Sequence, residues 1–125
     1  MNLTVLEGSF AVCQLEPDAE WPSWAAHSEI WSVTRTSDEL SVVCLRDTVP
    51  SGVRSESGWR CLKVEGPLDF ALTGILVSIA QPLAQAGISI FALSTYNTDY
   101  LMVNDEKLGY AIEVLELAGH KVSTQ

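Results

Sequence analysis

The chain has 125 residues, enough for one domain or for two very small units sharing a core. Its 7 basic and 16 acidic residues give a net charge of −9, which repels phosphate backbones and anionic lipid and argues against nucleic acid or a membrane surface as partner. A hydrophobic content of 47% is too high for disorder and supplies a packed core.

The leading segment, MNLTVLEGS, has no basic stretch and no long apolar run. A signal peptide is therefore not expected, and the chain reads as cytoplasmic. Leu3–Leu6 and Ser9–Leu15 read as short strands with Glu7-Gly8 as the corner. Glu20–Ala26 can form one or two helical turns, with Trp21 and Trp24 covering a sheet. Ile30–Thr36 and Leu40–Leu45 are the next strands, joined by a turn at Ser37-Asp38-Glu39. Asp47–Gly58 reads as a loop because of Pro50, Gly52 and Gly58. Trp59–Glu65 alternates as a strand should.

Gly66-Pro67 then introduces a helix. Leu72, Ile75, Leu76, Ile79 and Leu83 fall on one helical face, and Asp69 sits in the expected first turn. Pro82 deletes one backbone hydrogen bond late in that helix, and Gly87 ends it. From Phe70 to Thr98 there is no charged residue, but the pattern changes from helical to strand-like after Gly87, so a buried helix and strand fit better than a membrane span. Ile88–Leu93 and Tyr100–Val103 form a hairpin around the polar corner Ser94–Asp99. Asn104 or Asp105 caps a second helix through Leu108, Ala111, Ile112 and Leu115, ended by Gly119, and His120–Val122 closes as a strand.

The half from Trp59 onwards thus reads β-α-β-β-α-β, an α+β, ferredoxin-like arrangement. The first half is strand-rich with hardly a helix. We expect two parts, residues 1–58 and 59–125.

Cys13, Cys44 and Cys61 are odd in number and lie in apolar, strand-like contexts, so buried reduced thiols are expected rather than disulfides. No spacing of Cys or His suggests zinc or another metal. His27 and His120 lie outside any ligand motif and read as ordinary surface or boundary residues. There is no nucleotide-binding glycine motif and no nucleophile with a paired base, so no catalytic residue and no cofactor is expected.

The runs GPLDFALTGIL…PLAQAGISIFALSTYNTDYLMV and, upstream, RTSDELSVVC resemble the ACT domain, the regulatory module that binds amino acids. They are similar to small bacterial tandem-ACT proteins and to the ACT modules of the CASTOR arginine sensors of animals. The resemblance implies a complete ACT module in the C-terminal half beside a reduced ACT-like N-terminal half. It further implies a non-catalytic protein with an amino-acid site at the junction of the two. Carried over residue by residue, that site uses Ser41 and Val42, then Asp69, Phe70 and Gly74, then Thr95, Tyr96 and Asp99.

Each of these residues also has a plain structural reading. Asp69 can simply complement a helix dipole, Asp99 can bond its own hairpin, and Ser41 can be solvated on an edge strand. An alternative function is a ligand-free interaction module that assembles through sheet edges. A homodimer and a further protein partner fit either outline.

Overall fold

The computed structural model describes residues 1–69 and 72–125. It divides into two compact units, Gly8–Trp59 and the combination of Met1–Glu7 with Arg60–Gln125. Among the described residues there are eight strands and two α-helices.

The N-terminal unit contains the strands β2 (Phe10–Leu15), β3 (Ser32–Arg35), β4 (Leu40–Leu45) and the first half of β5 (Arg54–Val64). Their order is β3-β4-β2-β5, every pair antiparallel. Ala11, Cys13, Ala25, Leu40, Val42 and Cys44 form its core, with Trp24, Val33 and Val53 packed against them. Where a loop was expected from Asp47 to Gly58, β5 already begins at Arg54. Pairing with β2 overrides the glycine signal. Phe10 faces Trp59 and Val12 faces Glu56, so β5 advances three residues while β2 advances two. Gly58, at φ 87°, absorbs the extra residue as a bulge.

Only three residues, Ser23–Ala25, form a 3-10 turn in the stretch where one or two helical turns were expected. Trp21 and Trp24 therefore do not share a face. Trp24 reaches the core, whereas Trp21 is 62% exposed and meets Trp31 edge-on at 6.2 Å.

The C-terminal unit has the expected ferredoxin-like sequence of elements. The second half of β5 is followed by α1 (Ile75–Gln85), β6 (Ile90–Ser94), β7 (Asp99–Asn104), α2 (Leu108–Leu117) and β8 (Lys121–Thr124). β1 (Asn2–Val5) joins this unit rather than the N-terminal one. It runs antiparallel to β5 and parallel to β8, giving the order β6-β7-β5-β1-β8. Leu3 and Val5 of β1, Leu62 and Val64 of β5, and Leu101 and Val103 of β7 alternate inward. Ile79 and Leu83 of α1 and Ala111 and Leu115 of α2 cover them. Burying each large aliphatic side chain stabilises the fold by roughly 1.5–3 kcal/mol.

The first helix begins later than its apolar spacing suggests. Gly74, at φ 75°, is its N-cap, so Asp69 lies outside the helix and Leu72 is 52% exposed instead of buried. The segment before it is tied to the β6–β7 corner by the Leu68 N–H, which donates to the Asn97 carbonyl at 2.7 Å. A side chain at Gly66 would press within 2.9 Å of the Leu68 nitrogen and 3.1 Å of the Asn97 oxygen, so only glycine admits this close approach.

Pro82 lies inside α1 and offers no N–H to the carbonyl of Ser78. The His120 ring supplies the missing donor, its Nε2 lying 2.9 Å from that oxygen. Because a carbonyl only accepts, Nε2 carries the proton, and Nδ1 accepts from the Met1 ammonium at 3.1 Å.

Candidate functional site

The polar corner between β6 and β7 is held by its own bonds. The Thr95 N–H and hydroxyl both donate to the Thr98 carbonyl, at 2.9 and 3.1 Å. The Thr98 hydroxyl, buried, donates to the Val64 carbonyl at 2.5 Å and so anchors the corner to β5. The Ser94 hydroxyl donates to the Asp99 carboxylate at 2.6 Å. The turn is thus satisfied locally, as such residues are in turns.

The corner is also one wall of an open cavity of about 210 Å³. Thr95, Tyr96, Asn97, Thr98 and Asp99 line it on that side. Leu68, Asp69 and Leu72 come from the segment before α1, and Gly74, Ile75 and Leu76 from the start of the helix. Among the described residues no side chain caps α1, and its first turn contains no acidic residue. The Ser78 N–H closes the first helical bond, to the Gly74 carbonyl at 2.9 Å, which leaves the preceding N–H groups without intrahelical partners. The cavity therefore combines the positive end of a helix, two carboxylates, hydroxyls and an apolar wall. An ammonium suits the carboxylates and a carboxylate suits the helix start.

Five of the eight residues expected at a site, Asp69, Gly74, Thr95, Tyr96 and Asp99, line this one cavity. Ser41 lines a different cavity, of about 220 Å³, in the N-terminal unit. Its strand β4 is paired on both sides, so the edge-strand reading of Ser41 does not hold. Val42 is fully buried in that unit's core. Phe70 falls outside the described residues. Sequence reasoning passed over Leu68 and Asn97, which line the cavity and join its walls. The signal for Asn97 was its place in the corner, legible only as turn chemistry, and Leu68 carried none.

The three cysteines are buried thiols, and none forms a disulfide among the described residues. Burial, and then the neighbouring Cys44, push the Cys13 thiol up to about 12, so it is held un-ionised and unreactive at neutral pH. Among the described residues no group of three or more His, Cys, Asp or Glu is placed to hold a metal. Among the described residues no helix is long and apolar enough to cross a membrane.

A family model of the ACT domain matches residues 54–116, and a second model, of an N-terminal domain, matches residues 8–52. The human cytosolic arginine sensor for mTORC1 subunit 1 is 45% identical over 65 residues. That match covers 50% of this chain but only 20% of the sensor's length. A crystal structure from Agrobacterium tumefaciens is 40% identical with a TM-score of 0.93, covering 99% of this chain and 92% of that one. The regulatory subunit of aspartate kinase from Thermus thermophilus has a TM-score of 0.63 at 10% identity, covering 91% and 94%, a likeness of fold alone.

Proposed function

The chain belongs to the ACT domain family, and from that premise we propose that it is a non-catalytic, cytoplasmic regulatory protein that binds a free amino acid. The ligand occupies the cavity between the β6–β7 corner and the start of α1. The observation that carries this reading is the meeting of an uncapped helix start with Asp69 and Asp99 around one opening. The ligand carboxylate takes the free N–H groups of the helix, and its ammonium takes Asp99 or Asp69. Thr95 completes the polar shell and Tyr96, which is 81% exposed, closes over the mouth. The names of the curated relatives, arginine sensors, favour an amino acid over other zwitterions. Binding shifts a population between two states by no more than the difference in ligand affinity for them.

A thermal scan against each common amino acid tests this. Saturation at about 100 times the dissociation constant adds roughly 2.7 kcal/mol of stability, a rise of roughly 10 °C for a chain of this size. Asp99→Ala is expected to abolish the rise while leaving the unliganded midpoint within a few degrees. A flat scan at millimolar concentrations would sink the reading. Ser41→Ala asks whether the wider site implied by the resemblance is used: loss of affinity would bring the N-terminal unit into it.

A second reading, an interaction module, is favoured by one observation. β6 pairs only with β7 among the described residues and carries no charge, so its other edge is open to a strand of a partner or of a second copy. Sedimentation over a concentration series separates the two readings.

A further inference from the structure

The N-terminal unit holds a cavity of about 620 Å³, roughly three times the size of the one at the β6–β7 corner. Gln14, Glu16, Ala19, Asp38, Val53 and Arg54 are among its lining residues.

Hydrogen bonds outside the strand ladders hold its walls. Arg35 donates to the carbonyls of Pro17 and Ala19, the latter at 2.7 Å, and the Ala19 N–H donates to the Glu16 carbonyl at 3.0 Å. The Thr36 hydroxyl accepts from the N–H groups of Asp38 and Glu39 at 3.1 and 3.2 Å, which sets the hairpin tip bearing Asp38. Arg54 stands opposite Gln14 in the β2–β5 register.

The unit contains three cations, Arg35, Arg46 and Arg54. Arg35 is spent on backbone carbonyls and Arg46 on Asp47 at 3.3 Å. The Arg54 side chain makes no hydrogen bond or ion pair among the described residues, although Glu16 and Asp38 line the same cavity. Separated charges of opposite sign that do not pair with each other suit a ligand that carries both signs. A guanidinium takes a carboxylate in a two-pronged contact, and a carboxylate takes an ammonium. Leu15, Ala19 and Val53 add an apolar wall.

We propose that this cavity is a second binding site, for a small zwitterion bearing one carboxylate and one ammonium. Arg54 holds the carboxylate, while Glu16 and Asp38 hold the ammonium. Two sources share that chemistry, a free amino acid and a dipeptide. The site needs no residue of the C-terminal cavity, so it stands or falls apart from the function proposed above.

The test is amide-resolved NMR of the whole chain, titrated to millimolar concentration with each L-amino acid and then with a set of dipeptides. Shifts at Gln14, Leu15, Ala19 and Val53 are expected, and the probe class that causes them distinguishes the two sources. Arg54→Gln should weaken that response by about tenfold or more, and Arg54→Lys by less, since lysine keeps the charge without the fork. Arg54 is exposed, so both variants should fold. Any shifts at Thr95–Asp99 should persist in both variants and disappear in Asp99→Ala. No response in the N-terminal unit to any probe, or a response that Arg54→Gln leaves intact, would overturn the proposal.

Discussion

The two units close their cores in different ways. In the C-terminal unit two helices lie over the sheet, and the space between is filled by large side chains such as Leu62, Ile79, Leu83, Leu101 and Leu115. In the N-terminal unit a short turn takes the place of a helix, and the core beneath it is built largely of small residues, Ala11, Cys13, Ala25 and Cys44. A helix holds its backbone away from the sheet and demands bulk to reach native packing density, whereas a bare turn can approach closely. The same difference decides what each cavity can offer a ligand. The C-terminal cavity has a helix start to meet an anion, and the N-terminal cavity has a side chain, Arg54, for that purpose.

The largest expected effect separates the two cores. Leu83→Ala should cost about 2–5 kcal/mol in urea unfolding, because it leaves a void under α1. Cys44→Ala removes a single sulfur and should cost about 1 kcal/mol. Equal losses would contradict the contrast between a bulky and a small-residue core.

Gly66 and Gly52, one in each unit, differ in what an added side chain would meet. Gly66→Ala meets backbone atoms at 2.9 and 3.1 Å and should cost about 1–3 kcal/mol while also distorting the C-terminal cavity. Gly52→Ala, at φ 86° with open space around it, bears only the backbone penalty of about 1–2 kcal/mol and should leave that cavity's ligand affinity unchanged. Thermal midpoints and a titration of both variants check this.

A smaller effect belongs to His120. Removing it strands the Ser78 carbonyl, and His120→Ala should cost about 0.5–1.5 kcal/mol. In a Pro82→Ala background the helix regains its own donor, so the same substitution should cost much less. An unchanged cost in the double mutant would mean that the histidine acts elsewhere.

The last effect shows only at alkaline pH. The folded state keeps Cys13 protonated above its ordinary value of 9.0, up to about 12. The unfolded chain releases that proton first, so the contribution is whole below 9.0 and fades as pH rises towards 12. Unfolding followed across that window should show a shallower alkaline loss in Cys13→Ala than in the wild type.

Local chemistry settles much of this molecule. The helix-to-strand change at Gly87, the strand Leu40–Leu45 and the cap at Asn104, which closes the 3-10 turn Asp105–Lys107 leading into α2, each depend on a few adjacent residues, and each stands where it was expected. The Asn104 side chain accepts from the Glu106 N–H at 3.0 Å, which shows how local that signal is. The corner Thr95–Asp99 was recognisable for the same reason.

Tertiary structure alone decided the rest, because pairing and approach are non-local. β1 could have joined either unit, and Leu3 and Val5 serve the C-terminal core only because β5 and β8 flank them. Arg54–Gly58 became a strand through β2, against its own glycine. Gly74 delayed the first helix, and the bond from Leu68 to Asn97 brought Asp69 to the cavity wall. The residue types that suit a zwitterion were in the sequence, but only long-range pairing, whose gain must exceed the entropy of closing the chain between its partners, set them around one opening.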